Sequence, residues 1–209
     1  MYIENIFVCV AAPMLVAAIC CGREQRSFYI FTLAGEGMCL LSAYISTFFA
    51  GLYDTETALA AIEITPVVEE AMKLLPLLFY ILVFEPERKK ARNATLIIAS
   101  TFAVFENICW LVEHGSGDLT YILLRGFGTG VMHIVCGIVV GYGLLFIWDY
   151  PWLKAAGTFG LLCMAITYHA IYNVLLYAGG TAQNIGFALP LVTAFAGIII
   201  VRRVRETAR

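Results

Sequence analysis

The sequence predicts an all-α, polytopic transmembrane helical bundle of about seven spans, with its N-terminus outside and its C-terminus cytoplasmic. Three observations carry that expectation. Of 209 residues, 61% are hydrophobic and 13% charged, where soluble domains carry about 25% charged residues, and the mean hydropathy is +0.86. The apolar residues form long continuous runs, without the two-residue alternation over ~10-residue segments that a membrane barrel requires. Lysine and arginine are distributed one-sidedly along the chain.

A helix needs ~20 apolar residues to cross the hydrocarbon core. Seven stretches qualify, at about 3–21, 28–50, 58–84, 94–113, 120–147, 152–177 and 184–201. The links between them are short, so a single domain over 1–209 is expected, with no soluble module. The first stretch lacks a basic segment ahead of it, and Arg23 and Arg26 follow it instead. It is therefore read as a retained span, not a cleaved leader. Arg23, Arg26, Arg88, Lys89, Lys90, Arg92, Lys154, Arg202, Arg203, Arg205 and Arg209 all fall on one side of a seven-span chain. Asp54, Glu56, Glu113 and Asp118 fall on the other, with Arg125 near them. Basic loops stay cytoplasmic, which gives the stated orientation. Trp148, Tyr150 and Trp152 suit one interfacial belt, and Trp110 and Tyr121 the other.

The net charge of −2 and the absence of basic runs interleaved with aromatics point away from nucleic acid. The lipid bilayer is the expected surrounding, and no nucleotide partner is indicated. Seven cysteines, none in a CxxC pair, read as small residues within apolar segments. The fifth span carries Gly126/Gly130 and Gly137/Gly141, two small-xxx-small pairs suited to close helix packing.

Against this apolar background the third span stands out. Glu69, Glu70 and Lys73 lie inside it, flanked by Pro66 and Pro76. Each charge at bilayer depth costs ~2.5–3.5 kcal/mol on insertion scales, so the three together call for a function. Lys73 lies at i+4 and i+3 from the two carboxylates and can reach either. The following spans add Glu106 and Asn107, then His133, then His169 and Asn173, the last two one turn apart on a shared face. Four consecutive spans thus each offer a carboxylate or an imidazole near mid-depth, Glu106 and His169 somewhat toward the outer side. Carboxylates, imidazoles and amides around one pocket suit activation of water for attack on a carbonyl, by general base or by metal. The same ionisable groups also suit a proton- or cation-coupled transporter. A third reading is a scaffold that binds partner helices on the glycine face. His114 falls in an outer loop and is not assigned to the set.

The ordered set Glu69-Glu70-x-x-Lys73, Phe102-x-x-x-Glu106-Asn107, His133 and His169-x-x-x-Asn173 resembles the PrsW family of intramembrane proteases, in a superfamily with the CAAX prenyl endopeptidases. The resemblance covers the motif core, 66–176. It implies a multi-pass protease of the bacterial plasma membrane that makes the first cleavage of a single-pass anti-sigma factor on the extracytoplasmic side. It implies catalytic Glu69 and Glu70, with one as the base and the choice open. His133 and His169 would bind or activate water, and Asn173 and Asn107 would stabilise an oxyanion. Lys73 would position the glutamate pair. Glu106 stands where the CAAX branch has a histidine, so its role is not transferred. The cofactor is open between none and a divalent metal such as zinc; a zinc enzyme would draw on Glu70, Glu106, His133 and His169. A CAAX-type prenyl-protein endopeptidase is the related alternative.

Overall fold

Long apolar runs in which every backbone group must be satisfied internally leave helix as the available structure. The computed structural model describes residues 3–115 and 117–207, and among these there is no strand. The helices are α1 (Ile3–Cys20), α2 (Arg23–Leu52), α3 (Thr57–Glu63), α4 (Thr65–Phe84), α5 (Arg88–His114), α6 (Leu119–Ile147), α7 (Lys154–Ala178) and α8 (Gly180–Thr207). A 3-10 turn, Pro151–Leu153, leads into α7. Among the described residues, six helices (α1, α2, α5, α6, α7 and α8) are long and apolar enough to cross a membrane. With 20 residues, α4 matches them in length, and its three buried charges set it apart.

The expected third span, 58–84, is two helices. The break falls at Ile64, just before Pro66. Proline has no N–H, and its ring crowds the carbonyl one turn back. The break leaves a carbonyl at the end of α3 to be satisfied from elsewhere, and the Asn173 side chain of α7 donates to the Ala61 carbonyl at 2.8 Å. Glu69 and Glu70 consequently sit in the second turn of α4, not midway along one long span.

At the centre, α6 packs against α4, α5, α7 and α8, while α1 lies outside against α2. The main core joins Leu74 and Leu77 of α4, Ile98 of α5, Met132 and Cys136 of α6, and Tyr172 of α7. A smaller cluster, Cys39, Phe102 and Phe105, seats α2 on α5 and receives Phe7 from α1. The two glycine pairs of α6 differ. Gly137 and Gly141 lie against Ala99 and Thr95 of α5, where a Cβ would collide. Gly126 and Gly130 face open space, contrary to the packing expectation.

Arg88, at the start of α5, pairs with Asp149, after α6, at 2.5 Å, so those two junctions share one end of the bundle. Lys154 lies over the Trp148 ring at the same end. The side chains of Arg23, Arg202, Arg203 and Arg205, and all of Arg209, lie outside the described residues.

Candidate functional site

The four motif-bearing helices bring their polar side chains to one point. Lys73 and Glu70, three residues apart on α4, form a buried ion pair at 2.7 Å. The same ammonium lies 2.9 Å from His133 Nδ1. An ammonium only donates, so His133 accepts at Nδ1 and carries its proton on Nε2. That Nε2 lies 2.5 Å from Glu106 Oε2, to which it donates. The other oxygen of Glu106 accepts from Arg125 at 3.2 Å. On α7, His169 Nδ1 lies 2.8 Å from Glu70 Oε1. The carboxylate fixes that proton on Nδ1 and leaves the Nε2 lone pair free.

Two adjacent glutamates therefore have opposite surroundings. A single Glu70 oxygen accepts from both Lys73 and His169. Glu69 Oε2 is buried with no hydrogen-bond partner. It faces His133 Nε2 at 4.0 Å and His169 Nε2 at 3.9 Å. Both imidazoles are buried: His133 is 0% exposed and His169 3%. Phe102 lies against the His133 ring and under the Lys73 ammonium. With all three carboxylates (Glu69, Glu70, Glu106) ionised, the two permanent cations (Lys73, Arg125) would leave one negative charge unmatched. Glu69 is the one without a partner.

That excess bears on a metal. Glu69, His133 and His169 each offer one donor atom, all within 4.8 Å of one another. Two imidazoles and a carboxylate suit zinc, and the orphaned Glu69 oxygen beside two Nε2 atoms fits a divalent cation. Glu70 holding His169 Nδ1–H is the outer carboxylate that such imidazole ligands ordinarily have. His133 would give up its Nε2 proton to bind a metal, and Glu106 is placed to accept it. This donor set has Glu69 where the sequence reading put Glu70, which is turned toward Lys73 and His169 Nδ1. Glu106 sits just outside the triad, on His133.

The remaining expected residues lie apart from this point. The Asn173 amide reaches the α3 carbonyl. Asn107, next to Glu106, lines a neighbouring cavity, and its buried Oδ1 has no hydrogen-bond partner. His114 ends α5 and stacks on Trp110.

Two residues were given no site role from the sequence, although Arg125 fits the family resemblance. Arg125 is bound into the network through Glu106 and lies 4.5 Å over the Trp110 ring. Glu36 of α2 is buried with its Oε2 unpartnered, as is Thr32 Oγ1 one turn before it. The signal for Glu36 was the one that exposed Glu69, a carboxylate inside an apolar span.

A sequence model of the PrsW family intramembrane metalloproteases matches residues 24–206. The chain belongs to the PrsW family. The match spans nearly the whole chain, including all four motif-bearing helices. It makes the protein an intramembrane peptide hydrolase, and it decides between the protease and transporter readings of the same buried groups. Neither a curated protein nor a solved structure matches the chain at a significant level.

Proposed function

We propose that this PrsW-family enzyme makes the first cut in a single-pass, membrane-anchored protein of the anti-sigma factor type, at the extracytoplasmic side of a bacterial plasma membrane. Water is activated between Glu69, His133 and His169. The observation that carries this reading is the buried, unpartnered Glu69 oxygen facing two imidazole nitrogens at 3.9 and 4.0 Å.

Each residue then has a separable part. Glu69 accepts the water proton as its oxygen attacks the scissile carbonyl, and returns that proton to the leaving nitrogen. His169, locked by Glu70, aims its Nε2 lone pair at the water. Lys73 neutralises Glu70 and fixes the His133 tautomer. Glu106, backed by Arg125, holds the proton at His133 Nε2. Asn173 positions α4 through the end of α3. A divalent metal held by Glu69, His133 and His169 would supply Lewis acidity and lower the pKa of a bound water.

In the N-outside orientation, α4 starts and α5 and α7 end at the outer face. Glu69, Glu106 and His169 then all lie in the outer half of the bundle, which supports extracytoplasmic cleavage. Co-expression with a single-pass reporter tests the assignment. Glu69→Gln and His169→Ala are expected to lower cleavage by about 10³-fold or more, equivalent to ~4 kcal/mol of barrier. Undiminished cleavage in both would overturn it. A chelator titration, followed by add-back of zinc, reads the metal. Reporter fusions in the 115–118 and 85–87 loops read the orientation.

A further inference from the structure

One cavity beside the candidate centre plays no part in the chemistry proposed above. It lies between the last turns of α5 and the first turns of α6, and is lined by Asn107, Trp110, Leu111, Ile122, Arg125 and Gly126. Its volume is about 50 Å³, where one water needs ~10–15 Å³. Two of its lining residues carry buried polar atoms without partners, Asn107 Oδ1 and Arg125 Nε. Leaving a buried donor or acceptor unsatisfied costs about 1–3 kcal/mol each, so a site holding one of each is shaped for something that fills both. Asn107 Oδ1 accepts and Arg125 Nε–H donates. A peptide group offers the complement, an N–H and a C=O.

The surface leading from this cavity supports the same ligand. Gly126, Gly130 and His133 follow one another on one face of α6 at spacings of four and three. A Cβ at either glycine would meet nothing within 4 Å. The face of α6 is therefore clear at Gly126 and Gly130, two turns and one turn before His133, and a second backbone can approach it there. The far end of the Arg125 side chain already touches Glu106, so cavity and centre are joined through one guanidinium.

We propose that Asn107 and Arg125 form a backbone-binding subsite that grips one peptide group of an unwound substrate strand, laid along the Gly126–Gly130 track with its scissile bond at Glu69, His133 and His169. Gly126 and His133 are seven residues apart, about 10 Å along the helix axis. At about 3.3 Å per extended residue, the gripped peptide group lies about three residues from the scissile bond. Specificity at this subsite is for backbone in extended form, not for a side chain. The inference rests on the placement of the catalytic centre argued above.

The test uses the purified full-length enzyme and a synthetic single-span peptide that it cleaves. In a companion series, each backbone N–H near the cleavage point is N-methylated in turn. At one position, two to four residues from the scissile bond, N-methylation is expected to lower kcat/KM by about tenfold, the worth of one buried hydrogen bond. In Asn107→Leu the same N-methylation costs less than about twofold, because the acceptor is already gone. Asn107→Ala serves the same purpose if the leucine variant folds poorly. Arg125→Lys keeps a charge toward Glu106 but removes the Nε–H, and is expected to raise KM more than it lowers kcat. If wild type and both Asn107 variants respond alike to N-methylation at every position, the cavity holds only water and the proposal is overturned. Failure of the catalytic assignment reads differently: Glu69→Gln would still cut the unmodified peptide.

Discussion

The two halves of α6 use glycine in opposite ways. Beyond His133, Gly137 and Gly141 are pressed against Ala99 and Thr95, and Gly143 against Leu161 of α7. Ahead of His133, a Cβ at Gly126 or Gly130 would meet nothing within 4 Å, although one at Gly128 between them would run into Phe187 and Tyr172. The same residue type brings helices together in one half and keeps a surface clear in the other. What decides is whether a partner helix approaches. The closed half carries the Arg88–Asp149 pair and a continuous apolar core. The open half carries the unpartnered polar atoms of Asn107 and Arg125. Rigidity and access are thus divided along a single helix, with the charged centre at the boundary.

The boundary itself should give the largest effect on stability. Lys73→Met leaves Glu70 buried against His169 without its cation, and breaking a buried pair from one side costs about 3–5 kcal/mol. Thermal unfolding in detergent should show that loss, with cleavage abolished. A smaller effect contrasts the two halves directly. Gly141→Leu forces a side chain into Thr95 and should cost about 1–3 kcal/mol of stability. Gly130→Leu should leave the unfolding temperature nearly unchanged while reducing cleavage of a single-span substrate. Equal destabilisation by both would erase the distinction between the halves. At the bottom of the scale, Arg88→Ala breaks an ion pair whose partners are 59% and 54% exposed. Exposed pairs contribute at most about 1 kcal/mol, and cleavage should be unaffected.

The sequence made the centre legible because charge is conspicuous in apolar spans. Glu69, Glu70, Lys73, Glu106, His133 and His169 could all be read from that contrast, and the structure brings them together. Which glutamate was free could not be read. Lys73 reaches either by spacing alone, and only the approach of His169 from α7 assigns it to Glu70. Asn173 shares a face with His169 in the sequence, yet its amide goes to the Ala61 carbonyl near the end of α3, a helix end that the unbroken third span did not predict. Arg125 looked like a loop charge near the outer face. Its contact with Glu106 depends on the register between α5 and α6, which one-dimensional spacing does not fix. The glycine pairs were indistinguishable by pattern, since packing depends on the neighbour and not on the motif.

The stack of Arg125 on Trp110 makes the open half optically addressable. Indole emission responds to a nearby charge and to solvent, and the chain has three tryptophans. Trp148 and Trp152 lie at the opposite junction, beyond the end of α6. Replacing both with phenylalanine leaves Trp110 as the single fluorophore, seated against the guanidinium that holds Glu106. Its emission would then report, in real time and without a label, each arrival of a substrate strand beside Arg125.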